Sequence, residues 1–242
     1  MKQRQMRLRP ELVGKVPPAS GHYSAENFIA GRRIATDEDH QEMVRDILGK
    51  APSPESVWVF AYGSLIWNPC FESVEQRPAL VNGWHRSFCL GWDHWFRGSV
   101  ERPGLMLALD RGGRCRGVAY RLPPHSVEEN LVAIVKREVH LIPHPFPPRW
   151  INLVTAEGVI RAVTFVIDRR SEAYVHGLTL EEQADVLAVA SGPKGSMAEY
   201  LFNTVAHLEE RALHDKQLWA LQDLVASRIE AMEAAAGQRE TA

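Results

Sequence analysis

A strand-length apolar run, Val57-Trp58-Val59-Phe60-Ala61, leads straight into Tyr62-Gly63-Ser64-Leu65-Ile66-Trp67, where small and polar residues interrupt it. Gly63 tolerates dihedrals closed to other residues and Ser64 adds a hydroxyl, so consecutive backbone N–H groups at such a step can converge on one point. The chemistry open to it is holding a carboxylate or a developing oxyanion. A strand followed by an ordinary tight turn also accounts for a bare Gly-Ser pair. Glu138 is the second candidate. It falls at a helix end beside Arg137 and before a proline-rich segment, where the negative end of the helix dipole and apolar surroundings both disfavour its charge. Both effects raise its pKa toward the range of a general base; the plain alternative is a solvated Glu beside Arg137.

Other constellations fail on pattern. Glu138, His140 and His144 are close in sequence, yet i,i+4 histidines meet only on a helix, and Pro143 and Pro145 oppose one. Ser64 lacks the second glycine of a G-x-S-x-G elbow, and no helix-forming pattern follows it, which leaves a ligand-positioning serine rather than a nucleophile. Gly112-Gly113 and Gly192-Pro193-Lys194-Gly195 lack phosphate-loop spacing and read as turns. Trp84, Trp92, Trp95 and Phe96 read as core more than as a stacking platform. Arg86 and Arg97 could each pair with a ligand carboxylate or with a protein acid. Tyr200 could be packed at a helix interface or reach a site with its hydroxyl.

The elements that must position these groups are legible in outline. Residues 1–56 read as an extension with one helix, opened by Thr36 and Asp39, striped by Met43, Val44, Ile47 and Leu48, and stopped at Gly49; Pro52 and Pro54 follow as a stiff linker. Strands are expected at 57–61, 79–91, 105–110, 115–122, 150–156 and 159–168, with hairpins at Gly112-Gly113 and Glu157-Gly158. That pattern favours a mixed or antiparallel sheet curling into a barrel. A helix over 126–137, capped by Ser126 and Glu129, precedes an irregular loop from Val139 to Arg149. The last third is helical, with starts at Thr179/Glu182, Ser196/Glu199 and Asp215; residues 57–232 form the main domain and 233–242 a frayed tail.

Composition removes several classes. Lys plus Arg total 28 against 30 Asp plus Glu, so no charge imbalance draws in nucleic acid or an anionic membrane. Cys70, Cys89 and Cys115 contain no C-x-x-C pair, which opposes both a disulfide framework and a zinc site and points to a cytoplasmic chain.

Taken together, residues 57–67, Gly83-Trp84-His85-Arg86-Ser87-Phe88-Cys89, Arg102-Pro103-Gly104-Leu105, Gly117-Val118-Ala119-Tyr120-Arg121, Arg137-Glu138 and Glu199-Tyr200-Leu201 resemble the ChaC family of γ-glutamylcyclotransferases, over about residues 57–230. The resemblance implies an α+β fold, a small mixed β-barrel flanked by helices. It also implies degradation of glutathione, a small-molecule substrate, to 5-oxoproline and cysteinylglycine without metal or organic cofactor. By that resemblance Glu138 is the general acid/base, Tyr62, Gly63, Ser64 and Leu65 cradle the γ-glutamyl group, and Arg97 and Tyr200 join the substrate-binding set. Two positions depart from the family pattern. Phe146 stands where relatives carry a Tyr before Pro148-Arg149-Trp150, and Arg97-Gly98-Ser99-Val100 replaces Arg-Gly-Thr-Pro. Cyclisation of other γ-glutamyl amino acids or amines, and γ-glutamyl binding without turnover, are the alternatives.

Overall fold

The computed structural model describes residues 5–19, 31–53 and 55–240; Gly21, which interrupts the extension, and Pro54 of the expected linker lie outside them. In chain order the elements are α1 (Pro10–Val13), β1 (Arg33–Ile34), α2 (Asp37–Gly49), β2 (Trp58–Ala61), α3 (Ser64–Trp67), β3 (Glu75–Asp93), β4 (Gly104–Arg121), α4 (Val127–Glu138), β5 (Leu141–Ile142), β6 (Pro148–Thr155), β7 (Gly158–Phe165), α5 (Leu180–Leu187), β8 (Ser191–Gly192), β9 (Gly195–Ser196), α6 (Met197–Glu210) and α7 (Lys216–Glu240). They fall into two units, one from residues 28–87 and 107–174, the other from residues up to 27, 88–106 and from 175 on.

The first unit is built on a closed barrel in the order β2-β4-β3-β6-β7. β2 pairs antiparallel with β4, from Trp58 opposite Arg121 to Ala61 opposite Val118. It pairs parallel with β7 at Val59–Val163. Trp58 and Phe60 join an inner core with Val81, Leu109 and Leu153. Val57 and Val59 face Val44 and Ile47 of α2 and Leu131, Ile134 and Val135 of α4. Burial on both faces is why residues 57–61 read as a continuous apolar run and not as an alternation. Helix α2, from the extension, thus covers an apolar face of the barrel.

The β6–β7 hairpin runs from Pro148 opposite Phe165 to Thr155 opposite Gly158, as expected. The Gly112-Gly113 hairpin is corrected: both glycines have positive φ, 103° and 68°, but they lie inside the continuous β4, where the Gly112 carbonyl meets His85 Nδ1 of the neighbouring β3 at 3.1 Å. The expected third and fourth strands are therefore one. Residues 139–149 are not wholly irregular either. Leu141 and Ile142, which precede Pro143 and keep their N–H groups, pair with β1. Thr36 and Asp39 form the expected capping box. Ser126 makes no side-chain cap, because its hydroxyl accepts from Asn130 Nδ2 instead (3.0 Å).

In the second unit, α5 and α6 pack on α7, and the buried residues include Leu187, Met197, Leu201, Leu208, Leu221 and Val225. Thr179 and Glu182 box the start of α5, and Asp215 accepts the N–H groups of Gln217 and Leu218. Ser191–Gly192 and Gly195–Ser196 pair around the expected turn. The apolar stripe stops at Met232, yet α7 continues to Glu240, since Ala234, Ala235 and Ala236 favour helix without burial. Trp92, read as core, is 40% exposed. Leu8 is fully buried, and its N–H donates to Gln222 Oε1 at 2.9 Å.

The capping difference is measurable by chemical denaturation. Thr36→Ala is expected to cost about 1 kcal/mol of stability through the lost cap, and Ser126→Ala to cost stability through the buried Asn130 amide instead, so that Asn130→Ala should abolish the effect of Ser126→Ala.

Candidate active site

The strand that serves both cores ends at Ala61, and the next residues leave the sheet. The Tyr62 carbonyl accepts Arg86 Nε at 2.6 Å, and the Tyr62 hydroxyl donates to the Phe165 carbonyl at 3.1 Å. One helical turn, Ser64–Trp67, follows at once, with Gly63 at its N-terminus and φ −140°. This corrects the expectation that nothing helical follows Ser64, and Gly63 is not in the left-handed region. The turn's backbone bonds start with Ile66 N–H to Gly63 O and Asn68 N–H to Ser64 O. The Ser64 and Leu65 amides thus precede the first bonded donor, as at any helix start.

After the turn, the chain is stitched along α4. Arg137 Nη1 donates to the Asn68 carbonyl, Cys70 Sγ donates to the Ala133 carbonyl at 3.7 Å, and Glu72 N–H donates to Asn130 Oδ1 at 2.7 Å. Asn130 is buried, and its amide nitrogen is held by Ser126. These links run in register with the helix and tie residues 68–72 to it. At the end of the helix, Glu138 Oε1 lies 3.7 Å from Arg137 Nε; at the other end of the link, Asn68 N–H donates to Ser64 O at 2.8 Å.

The Glu138 side chain is only 19% exposed. Desolvation pushes its pKa up to about 7, against a smaller downward pull from Arg137. At that value the carboxyl can take up and release a proton near neutrality, which a solvated Glu does not do. The following loop carries His140, exposed, and His144, whose ring lies 4.4 Å from that of Phe146. Burial pulls His144 down to about 3 and keeps it neutral. Among the described residues, no group of three or more His, Cys, Asp or Glu is arranged to hold a metal.

The remaining site candidates belong to the second unit. Asp93 accepts the N–H groups of Trp95, Phe96 and Arg97, and so fixes the backbone that carries Arg97. The Arg97 guanidinium donates through Nη1 to Glu199 Oε2 at 2.7 Å and Ser196 O at 2.9 Å, and its Cζ lies 5.4 Å from the Tyr200 ring centroid. Of the two partners open to Arg97, a protein acid is the one present. Tyr200 is buried, edge to face with Phe88 at 6.2 Å. Arg86 is open to the same two readings in the sequence. It holds backbone carbonyls, a role no residue pattern announces. Arg137 and Asn130 were likewise missed as positioning groups; a polar Asn130 on the apolar stripe of α4 was the available signal. A cavity of about 430 Å³ bounded by Ile47, Lys50, Arg149, Trp150 and Arg161 contains neither Glu138 nor residues 62–65.

The barrel has solved counterparts. The crystal structure of selenomethionine-labelled γ-glutamyl cyclotransferase specific to glutathione from yeast matches with a TM-score of 0.64 at 22% identity, over 72% of this chain and 96% of that one. The fold class is therefore that of the γ-glutamyl cyclotransferases. A model of the ChaC-like protein family matches residues 57–228, and the chain belongs to that family. It is 40% identical to the glutathione-specific γ-glutamylcyclotransferase of Escherichia coli over 177 residues, 73% of this chain and 74% of that one. It is 30% identical to glutathione-specific γ-glutamylcyclotransferase 1 of mouse over 183 residues, 73% and 81%.

A carboxyl raised in the folded state favours the protonated native form. Its stabilising effect is complete below the unfolded value near 4.5 and is lost as pH rises through about 7. The difference in unfolding free energy between the native protein and Glu138→Gln is expected to change by on the order of 3 kcal/mol across that window, read from urea melts at each pH.

Proposed function

We propose that the chain is a γ-glutamylcyclotransferase that acts on glutathione, with Glu138 as its general acid/base. The observation that carries this reading is the desolvated carboxyl with a pKa of about 7, on a helix stitched to residues 68–72, just after the turn that leaves β2. The names of the relatives supply the substrate. A cytoplasmic location accords with three cysteines outside any disulfide.

In this reading Glu138 takes a proton from the γ-glutamyl α-amine, which attacks its own γ-carbonyl. The new C–N bond closes the lactam ring. Glu138 then returns the proton to the cysteinyl nitrogen as the old C–N bond breaks, leaving 5-oxoproline and cysteinylglycine. Amides of residues 63–65 hold either the substrate carboxylate or the tetrahedral oxyanion. Nucleophile and electrophile belong to one molecule, so the enzyme's contribution is holding a folded conformer in a water-poor site. Arg97 and Tyr200 are substrate-binding candidates on the resemblance alone.

One observation favours a second substrate choice. Phe146 sits in an aromatic cluster with His144 and Phe165, ring centroids 4.4 and 5.9 Å away. The position that resembles a family Tyr therefore offers no hydroxyl, which fits a preference for other γ-glutamyl amino acids or amines.

Incubation of glutathione with the protein should release 5-oxoproline, with kcat/KM rising as pH passes through about 7 to a plateau, because the base form is required. Glu138→Gln should lower the rate by roughly 10²–10⁴-fold. Equal release from both proteins, or none from the native one, overturns the assignment. A panel of γ-glutamyl dipeptides and amines then ranks the leaving groups.

A further inference from the structure

Arg86 is only 5% exposed, although it lies on a barrel strand where an arginine has every opportunity to reach water. Its Nε donates to the Tyr62 carbonyl at 2.6 Å, and its Nη2 donates to the Arg116 carbonyl. In the order β2-β4-β3, one side chain on β3 crosses β4 and grips the chain just where it departs from β2. The β2–β4 ladder stops one residue earlier, at Ala61–Val118. The Tyr62 carbonyl has thus left the ladder and taken a guanidinium as its donor.

Two physical consequences follow at the peptide unit joining Tyr62 to Gly63. This bond is trans, the cis bonds among the described residues being those of Gly91-Trp92 and Ile142-Pro143. In a planar trans peptide the C=O and N–H point in opposite directions. With the carbonyl fixed on Arg86, the Gly63 N–H is aimed away from the guanidinium. A charge-assisted bond to the oxygen also draws electron density through the amide and makes the N–H on the other side a stronger donor. The exit is held from the opposite flank as well. Thr164 Oγ1 of β7 donates to the Phe60 carbonyl at 2.9 Å, and the Tyr62 hydroxyl donates to the Phe165 carbonyl. Gly117, beside Arg116, leaves room for this geometry: a Cβ there would stand 2.4 Å from the Ala61 carbonyl oxygen.

We propose that Arg86 is a positioning residue for the anion-holding amides of the 62–65 turn, acting through the Tyr62–Gly63 peptide without touching substrate. This rests on the function proposed above, and its test has one readout that does not.

Lysine keeps the charge but cannot fork to both carbonyls. In Arg86→Lys, KM for glutathione is expected to rise about tenfold, the effect of one charge-assisted hydrogen bond. kcat should fall less, and the pH limb near 7 should stay in place because Glu138 is untouched. Amide hydrogen exchange at Gly63, Ser64 and Leu65 should quicken while the β6–β7 hairpin keeps native protection. A scaffold role alone would lower the thermal midpoint and leave KM and local exchange native in the folded fraction; that result overturns the proposal. Should Arg86→Lys fold poorly, Arg86→Gln is the second variant, uncharged but with a side-chain amide donor. Raised KM with faster exchange at 63–65 then supports the clamp, and native values of both overturn it. Absence of 5-oxoproline from the native protein strikes the proposed function, whereas the exchange measurement decides on Arg86 without any turnover.

Discussion

Four residues, Trp58 to Ala61, carry an unusual share of constraints. They form the strand that joins β4 to β7 around the barrel, antiparallel on one side and parallel on the other. Their alternate side chains serve two separate cores. A strand so short contributes few ladder hydrogen bonds, so its position has to come from packing on both faces and from side chains that seize its carbonyls. Thr164 and Arg86 do the latter. Everything proposed about residues 62–65 inherits its precision from that strand, because a turn can be no better placed than the element it leaves.

The second requirement is a carboxyl kept out of water without being neutralised by a tight ion pair. Arg137 stands beside Glu138 but at 3.7 Å, while its Nη1 is spent on the Asn68 carbonyl. Had the guanidinium closed on Glu138 in a bidentate pair, the carboxylate would have been favoured and its pKa held low. The link that fixes the helix to the turn therefore also leaves Glu138 free to titrate near neutrality. Packing and proton chemistry are coupled through one arginine that faces two ways.

What was legible in the sequence was mostly local. The Thr36–Asp39 and Thr179–Glu182 boxes depend on residues three apart and formed as read. So did the Glu157-Gly158 turn. Ser126 matched the same capping pattern and failed because Asn130, a residue outside the pattern, competes for its hydroxyl. Gly112-Gly113 shows a different limit. A positive-φ pair looks identical in sequence whether it turns a hairpin or bends a long strand, and only the neighbour, β3, decides. Glu138 was legible as a chemical candidate from its place at a helix end. The stitch of residues 68–72 onto α4 was not, since its acceptors are backbone carbonyls and an amide oxygen far away in sequence. Arg86 suffered the same way: a pattern of charged residues does not announce the main-chain oxygens that it bonds.

The segment ahead of residue 57 lies outside the region matched by the family, yet parts of it are woven into the barrel unit behind Glu138. β1 pairs with β5, which begins three residues past Glu138. The Ala35 amide donates to the His140 carbonyl, and His40 Nε2 meets the Val139 carbonyl at 2.9 Å. The backbone directly downstream of the acid is thus propped by a piece of chain that a domain-minded reader would trim away. Under the proposed function, a change in that prop would shift the backbone behind the acid while leaving the acid itself unaltered.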